Sequence, residues 1–553
     1  MKFFSKFLYF FRKKPIVRFA VLVIALVLCT SISISIKLAM KKAPHLTTIT
    51  PQIATPGDTI YIYGNHFGSK INDSYVQIAG SRITTSHYIS WTDNVITLTL
   101  PMDVRDGFLQ VVTSSGKSDP INFSNQNNIP RFVKNDATST LPQITEISKS
   151  SSIGKLITIT GKNFGTLRNN SKVFFSIENK DGTKDFIPCP EREIYYEFWN
   201  NQEIRVRIPN GTTSGPVFVM TNSGASNSAD IQIQNMPGTK SFPEEKTYEI
   251  SLKATFASTD TKNSNDITVH IPIPPETTTQ RGIEIRKSSP EPLIQNYMNT
   301  IVHQTSISAK QKNAVSIEHT FLIPVYSIRT SVTSERVKPY SDETKKFLAD
   351  YLRENEIIPS GNEQVKKLAS EITNENSPYK KAQNIYNYLI RNYEISTELK
   401  TGEMNIEELI ASKNADGYDA TILYCALLRA SDIPCIPIAG FYIDSEKTAH
   451  KHWWAEFYIE DFGWIPVDLI LGSGIVYPGM EENTKNKTFY FGSIDANRIA
   501  FSRGWNRLIS TNINNKKIYH PRSFALQSVW EEYSEENKAY VSSWEDITVE
   551  NIY

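Results

Sequence analysis

Residues 414–435 read NADGYDATILYCALLRASDIPC. Apolar side chains occupy nearly every position from Ala420 to Leu428, which predicts a helix buried on all sides, opening at Asp416 and Gly417. A helix N-terminus can activate a nucleophile, because its dipole and free N–H groups favour negative charge. Gly417 brings no side chain to that place. The nearby thiol, Cys425, lies eight residues on, roughly 12 Å along the axis at ~1.5 Å per residue. Its neighbours Leu423, Ala426 and Leu427 mark it as packing.

Three strand-like runs follow: IPIAGFYI, HKHWWAEFYI and WIPVDLI. Side chains alternate along a strand, so His450, His452, Trp454 and Glu456 share one face. Trp464, Pro466 and Asp468 share a face of the next run, and a tight turn at 461–463 would set Asp468 beside His452. Thiol catalysis needs a cysteine at a helix start, a histidine to take its proton and a third group to orient that histidine. The strands supply the last two. A helix followed by adjacent antiparallel strands makes the region α+β.

These blocks resemble the transglutaminase-like superfamily of papain-type proteins. The family pattern is a cysteine at a helix start, then LLRA-x-GIP, then H-x-W-x-E, then GW-x-P-x-D. Leu427, Leu428, Arg429, Ala430, Ile433 and Pro434 match the second block, His452, Trp454 and Glu456 the third, and Gly463, Trp464, Pro466 and Asp468 the fourth. Residues 490–504, YFGSIDANRIAFSRG, look like the tail of bacterial members. Counting back from Arg429 places the family's cysteine at Gly417. The resemblance therefore implies a base, His452, and an orienting acid, Asp468, without a nucleophile. It further implies a vestigial pocket around Gly417, Tyr418, Trp454 and Trp464, enlarged by the missing side chain. No cofactor is expected. A metal held by His450, His452 and Asp468 would lack a third histidine, and no CxxC pattern suggests zinc, so no metal is assigned. Cys425 and Cys435 read as two buried thiols, a disulfide being the alternative.

Upstream, two segments repeat each other. Gly64, Phe67 and Gly68 in PGDTIYIYGNHFGS match Gly161, Phe164 and Gly165 in IGKLITITGKNFGT. Pro101, Gly107 and Gly116 match Pro209, Gly215 and Gly224, the offset growing from 97 to 108. That growth predicts an insertion in the second copy, placed around EIYYEFWNNQ. Short β-rich runs between Gly and Asn turns make each copy a small antiparallel sandwich. Both copies resemble IPT/TIG domains, an immunoglobulin-like family, which implies spacers or binding units. Linkers are expected at 128–140 and 236–246.

The N-terminus is set apart by charge. Residues 1–43 hold nine Lys and Arg and no acid; subtracting those nine from the formal +1 leaves −8 on the remainder. A mildly acidic bulk argues against nucleic acid as partner. Residues 19–36, FAVLVIALVLCTSISISI, are uncharged and near the minimum length of a membrane-spanning helix. Six bases precede this run, so the tip 1–18 is expected in the cytoplasm and the bulk outside it. A cleaved signal peptide is the rival, but no small-x-small site follows the apolar run.

The sequence thus predicts a multidomain chain: a transmembrane helix at 19–36, all-β immunoglobulin-like modules at 45–125 and 141–235, and a β-rich part at 247–332. A transglutaminase-like core at 341–475 and its C-terminal extension at 476–553 complete it. The expected function is a single-pass membrane protein of the cell envelope whose silent transglutaminase-like domain binds a protein or a peptidoglycan or other glycan ligand, or serves structurally. The alternative is an envelope cysteine peptidase, amidase or protein cross-linking enzyme with a relocated nucleophile, or a hydrolase using metal held by the two histidines.

Overall fold

The computed structural model describes residues 42–553 apart from 70–73, 80, 102–103, 106, 126–140, 170, 179–183, 191–194, 260–264, 309–313, 482–485, 506–507, 512–515, 520–525, 528 and 534–539. The expected anchor at 19–36 and the linker at 128–140 lie outside them. Among the described residues no helix is long and apolar enough to cross a membrane.

The two repeats fold alike. In the first, one sheet runs His45–Thr50, Thr59–Asn65, Val95–Thr99, Tyr88–Trp91. In the second, Gln143–Ile147, Leu156–Lys162, Glu203–Arg207 and Tyr196–Trp199 take the same order. The shared Gly-x-x-Phe has a packing cause. A Cβ on Gly64 would lie 2.1 Å from the His45 carbonyl and 2.5 Å from the Phe67 ring; on Gly161 it would meet the Gln143 carbonyl at 2.0 Å and Phe164 at 2.5 Å. Each phenylalanine fills the space its glycine leaves. Trp91 and Trp199 donate to the carbonyls of Phe67 and Phe164, and the Tyr88 and Tyr196 hydroxyls accept from the N–H groups of Val76 and Val173. Tyr196 and Trp199 thus already match the first copy. The insertion therefore lies earlier than expected, in the hairpin of Lys172–Glu178 and Lys184–Pro188, which is longer than its counterpart of Tyr75–Ile78 and Ser81–Arg82.

The first sandwich belongs to one compact unit ending at Ile129; the second sandwich and everything after it form another. The second sandwich is no loose spacer. Its core of Ile157, Ile159, Val206 and Val217 is continuous with Phe347, Tyr458 and Trp464 of the region beyond. Lys155 pairs with Glu460 at 2.6 Å and Arg207 with Glu343 at 2.6 Å. The expected linker at 236–246 is instead partly a strand: Gly238–Ser241 pairs with Ile328–Val332.

A third sandwich follows. Glu245–Ser258 pairs along its length with Val315–Tyr326, and Asn265–Pro272 with Thr300–Ile307. The C-terminal residues return to complete it: Trp530–Tyr533 joins Asn265–Pro272, while Tyr540–Trp544 and Thr548–Ile552 join Glu245–Ser258.

Between the sandwiches sits the α+β part. Asn362 caps Glu363–Ile372, and Pro378 opens Pro378–Asn392 behind Ser377, which holds the cap position without a side-chain bond to the helix. The helix Gly417–Ala430 is buried through Arg429, pressed between these helices and a sheet ordered Gly463–Val467, Ala449–Ile459, Cys435–Ile443, Arg498–Arg503.

Inside the third sandwich, His303 and His319 face each other with Nε2 atoms 2.8 Å apart, and Ser288 Oγ lies 3.1 Å from His319 Nδ1. Burial lowers the pKa of His303 to about 4; burial and the neighbouring imidazole lower that of His319 to about 3. Unfolded histidine titrates near pH 6.5, so above that pH neither state takes up these protons. Below it the unfolded chain binds them first, and stability falls by up to about 1.4 kcal/mol per pH unit for each histidine. The thermal midpoint of this sandwich is expected to drop between pH 7 and pH 5, and the slope to flatten in His303→Leu/His319→Leu. An unchanged slope in that variant refutes the assignment.

Candidate functional site

The turn between Ala449–Ile459 and Gly463–Val467 forms as expected, with Asp461 at φ 61° and Gly463 at φ 87°. It brings the sequence's two site residues together: His452 Nε2 lies 2.6 Å from Asp468 Oδ2, and both side chains are fully buried. A carboxylate can only accept, so Nε2 donates, and in the neutral ring Nδ1 carries the lone pair. That Nδ1 is buried without a hydrogen-bond partner in the protein. The ring lies among Tyr442, Trp454 and Tyr477, at centroid distances of 5.7, 6.1 and 6.4 Å.

Asp468 does more than orient the imidazole. Its Oδ2 also accepts from Arg498 Nε at 3.0 Å and Nη2 at 2.8 Å, and its Oδ1 accepts from the Leu471 N–H at 3.0 Å. Burial alone would raise its pKa, but the neighbouring His452 and Arg498 side chains and these hydrogen bonds hold it well below the carboxylate range. Arg498 Nη1 pairs in turn with Asp495 at 2.6 Å, and both acids keep the guanidinium charged against its own burial. Arg498 and Asp495 were not singled out in the sequence. Their signal was there: both fall in the 490–504 stretch that looks like the family tail.

The helix start is closed. Asp416 caps it through the Asp419 N–H at 2.8 Å. A Cβ built on Gly417 would lie 2.4 Å from Ile470 Cδ1, 3.1 Å from Ile470 Cγ1 and 3.5 Å from Trp453 Cε3. The enlarged pocket expected here is therefore filled, and by the very turn, Leu469–Gly472, that Asp468 caps. Nor do the four pocket residues converge. Tyr418 meets Trp453 edge-on at 6.2 Å, on the face of the strand opposite His452. Trp454 packs beside His452, whereas Trp464 belongs to the second sandwich's core, against Tyr458 at 5.3 Å and Tyr351 at 5.4 Å.

The remaining candidates are engaged elsewhere. Cys425 and Cys435 are free, fully buried thiols with sulfurs 3.3 Å apart, and burial pushes the Cys435 thiol well above its ordinary pKa. His450 turns to Asp444 at 2.9 Å and stacks on Tyr477 at 4.3 Å, so the two histidines serve different carboxylates. Among the described residues no three His, Cys, Asp or Glu side chains converge as metal ligands.

Fold and site together define an α+β domain with a buried His–Asp pair. The chain carries a transglutaminase-like superfamily domain, matched at 366–469, after two IPT/TIG domains, matched at 44–128 and 142–234. No curated protein matches the chain. Among solved structures, it is similar to a candidate cysteine protease from Cytophaga hutchinsonii at 13% identity and TM-score 0.37, over 57% of this chain and 92% of that one. It is also similar to a surface glycan-binding protein from Prevotella bryantii, at 11% identity and TM-score 0.16, over 52% of this chain and 98% of that one.

Asp468→Asn leaves His452 and Arg498 facing a neutral amide. Breaking a buried ion pair from one side costs about 3–5 kcal/mol. Urea unfolding of the variant is expected to show a loss of that size; a loss within experimental error would mean that the buried charges do not depend on Asp468.

Proposed function

We propose that the transglutaminase-like domain is catalytically silent and acts as a rigid structural or binding module of a membrane-anchored cell-envelope protein. The observation that carries this reading is the helix start: Gly417 offers no nucleophile, and Ile470 occupies the place a side chain would take. Loss of a nucleophile typically costs on the order of 10⁶ in kcat. A relocated thiol is disfavoured, because Cys425 faces Cys435 inside the core. The anchor rests on the apolar run 19–36 with its flanking bases, and the two immunoglobulin-like modules suit an extracytoplasmic chain. With the cleft filled, a protein or glycan partner is met on outer surfaces rather than around His452.

Thiol alkylation at low reagent excess tests the reading. Folded wild-type protein is expected to label slowly at Cys425 and Cys435. Gly417→Cys alone forces Ile470 aside at a cost of about 1–3 kcal/mol. Gly417→Cys/Ile470→Ala removes that clash, and its introduced thiol is expected to label quickly. Rapid labelling of wild-type Cys425 that disappears in His452→Ala would overturn the proposal in favour of an active thiol enzyme.

A further inference from the structure

A separate reactive arrangement lies where the second sandwich meets the α+β sheet. Three segments converge there: the loop after Glu203–Arg207, carrying Asn210; the strand Gly238–Ser241, carrying Lys240; and the start of Gly463–Val467. Lys240 Nζ lies 2.5 Å from Asn210 Oδ1 and 2.7 Å from the Phe462 carbonyl, with the Phe462 ring centroid 4.3 Å away. The same Asn210 oxygen accepts the Trp464 N–H at 3.1 Å, and Asn210 Nδ2 donates to Thr278 Oγ1 at 3.2 Å. Gly463 makes the approach possible, since a Cβ there would lie 2.3 Å from Asn210 Oδ1.

We propose that Lys240 and Asn210 join in an intramolecular amide cross-link, formed once after folding without a cofactor. The neutral amine attacks the Asn210 side-chain carbonyl carbon and a C–N bond forms. The oxygen, negative in the tetrahedral intermediate, is held by the Trp464 N–H. A proton leaves Nζ and reaches Nδ2, which its bond to the Thr278 hydroxyl orients. The bond from the carbonyl carbon to Nδ2 breaks, and ammonia departs. Atoms and charge balance: an amine and a primary amide give a secondary amide and ammonia, with nothing oxidised or reduced.

The surroundings favour the amine form. Burial lowers the Lys240 pKa to about 7, against the opposing pull of the Glu456 carboxylate. A desolvated lysine of this kind is a nucleophile near neutral pH. Slow chemistry suffices, because the bond has to form only once per molecule. The product would fasten the second sandwich to the strand that leads into the third, beside the turn that joins the His452 strand to Asp468.

The test is intact mass and peptide mapping of the full chain, purified in detergent and unfolded in guanidinium. The expected result is a mass one ammonia below that of the sequence, and a tryptic digest containing one branched peptide that joins the Lys240 and Asn210 segments. Both signs vanish in Lys240→Arg and in Asn210→Ala. Asn210 precedes Gly211, and a backbone succinimide there would also release ammonia. An ammonia loss that persists in Lys240→Arg would therefore overturn the proposal, as would a wild-type mass equal to that of the sequence or recovery of Lys240 with a free amine.

Discussion

The carboxylate of Asp468 is the group on which the centre of this structure turns. Within one buried side chain it holds the His452 imidazole, the Arg498 guanidinium and the Leu471 N–H of the Leu469–Gly472 turn. None of these groups would sit comfortably in the interior alone, because an isolated buried charge is costly and a half-satisfied network costs more than an apolar core. Each stabilises the others. The His–Asp pair keeps the Asp468 charge partnered, and the turn that Asp468 caps delivers Ile470 to the helix start. Orienting acid and plug are two consequences of one cap.

Around this centre the sheet is clad on every side. The strand Cys435–Ile443 is buried at all nine positions, as expected of a strand covered on both faces. Its Phe441 and Ile443, with Ile499 and Phe501 of the neighbouring strand, belong to the core of the third sandwich, while Tyr458 and Trp464 belong to the core of the second. The modules after Ile129 therefore share side chains rather than meeting across thin interfaces. Close-packed interiors transmit displacement poorly absorbed elsewhere, so a change at one module's core is felt in the next.

How much of this the sequence carries follows from the range of each signal. The pairing of His452 with Asp468 was legible because alternation places both side chains on one face and a tight turn fixes the register between the strands. The helix start at Gly417 was legible from the apolar run and its Asp416 cap. Ile470 was not: the sequence shows an apolar residue after Asp468, but only the fold shows that it points at the helix start. The C-terminal strands were equally hidden. Trp530–Tyr533 pairs with residues more than 250 positions earlier, and short alternating runs name no partner. The Lys172–Pro188 insertion was misplaced because the aromatic run at 195–199 looks unusual, whereas Tyr196 and Trp199 do the same work as Tyr88 and Trp91. The expected linker at 236–246 failed for a related reason: Pro237 and Gly238 read as a break, yet Gly238 is where the close approach of Ser331 excludes any side chain, with 1.9 Å from an added Cβ to its carbonyl oxygen.

Access to the buried pair is limited by the side chains packed over it. A hydrolase of the papain type must let a substrate carbonyl reach a nucleophile, the base beside it and a set of oxyanion donors at once. Here Tyr477 stacks on Tyr442 at 4.8 Å and on His450 at 4.3 Å, and with Met480 and Tyr490 it forms a small core over the strand that carries His452. The imidazole is closed off by aromatic packing, just as the helix start is closed off by Ile470. Opening the site would expose the apolar packing around Tyr477 and around Ile470. The closed state is stabilised by the same contacts that surround His452 and Asp468.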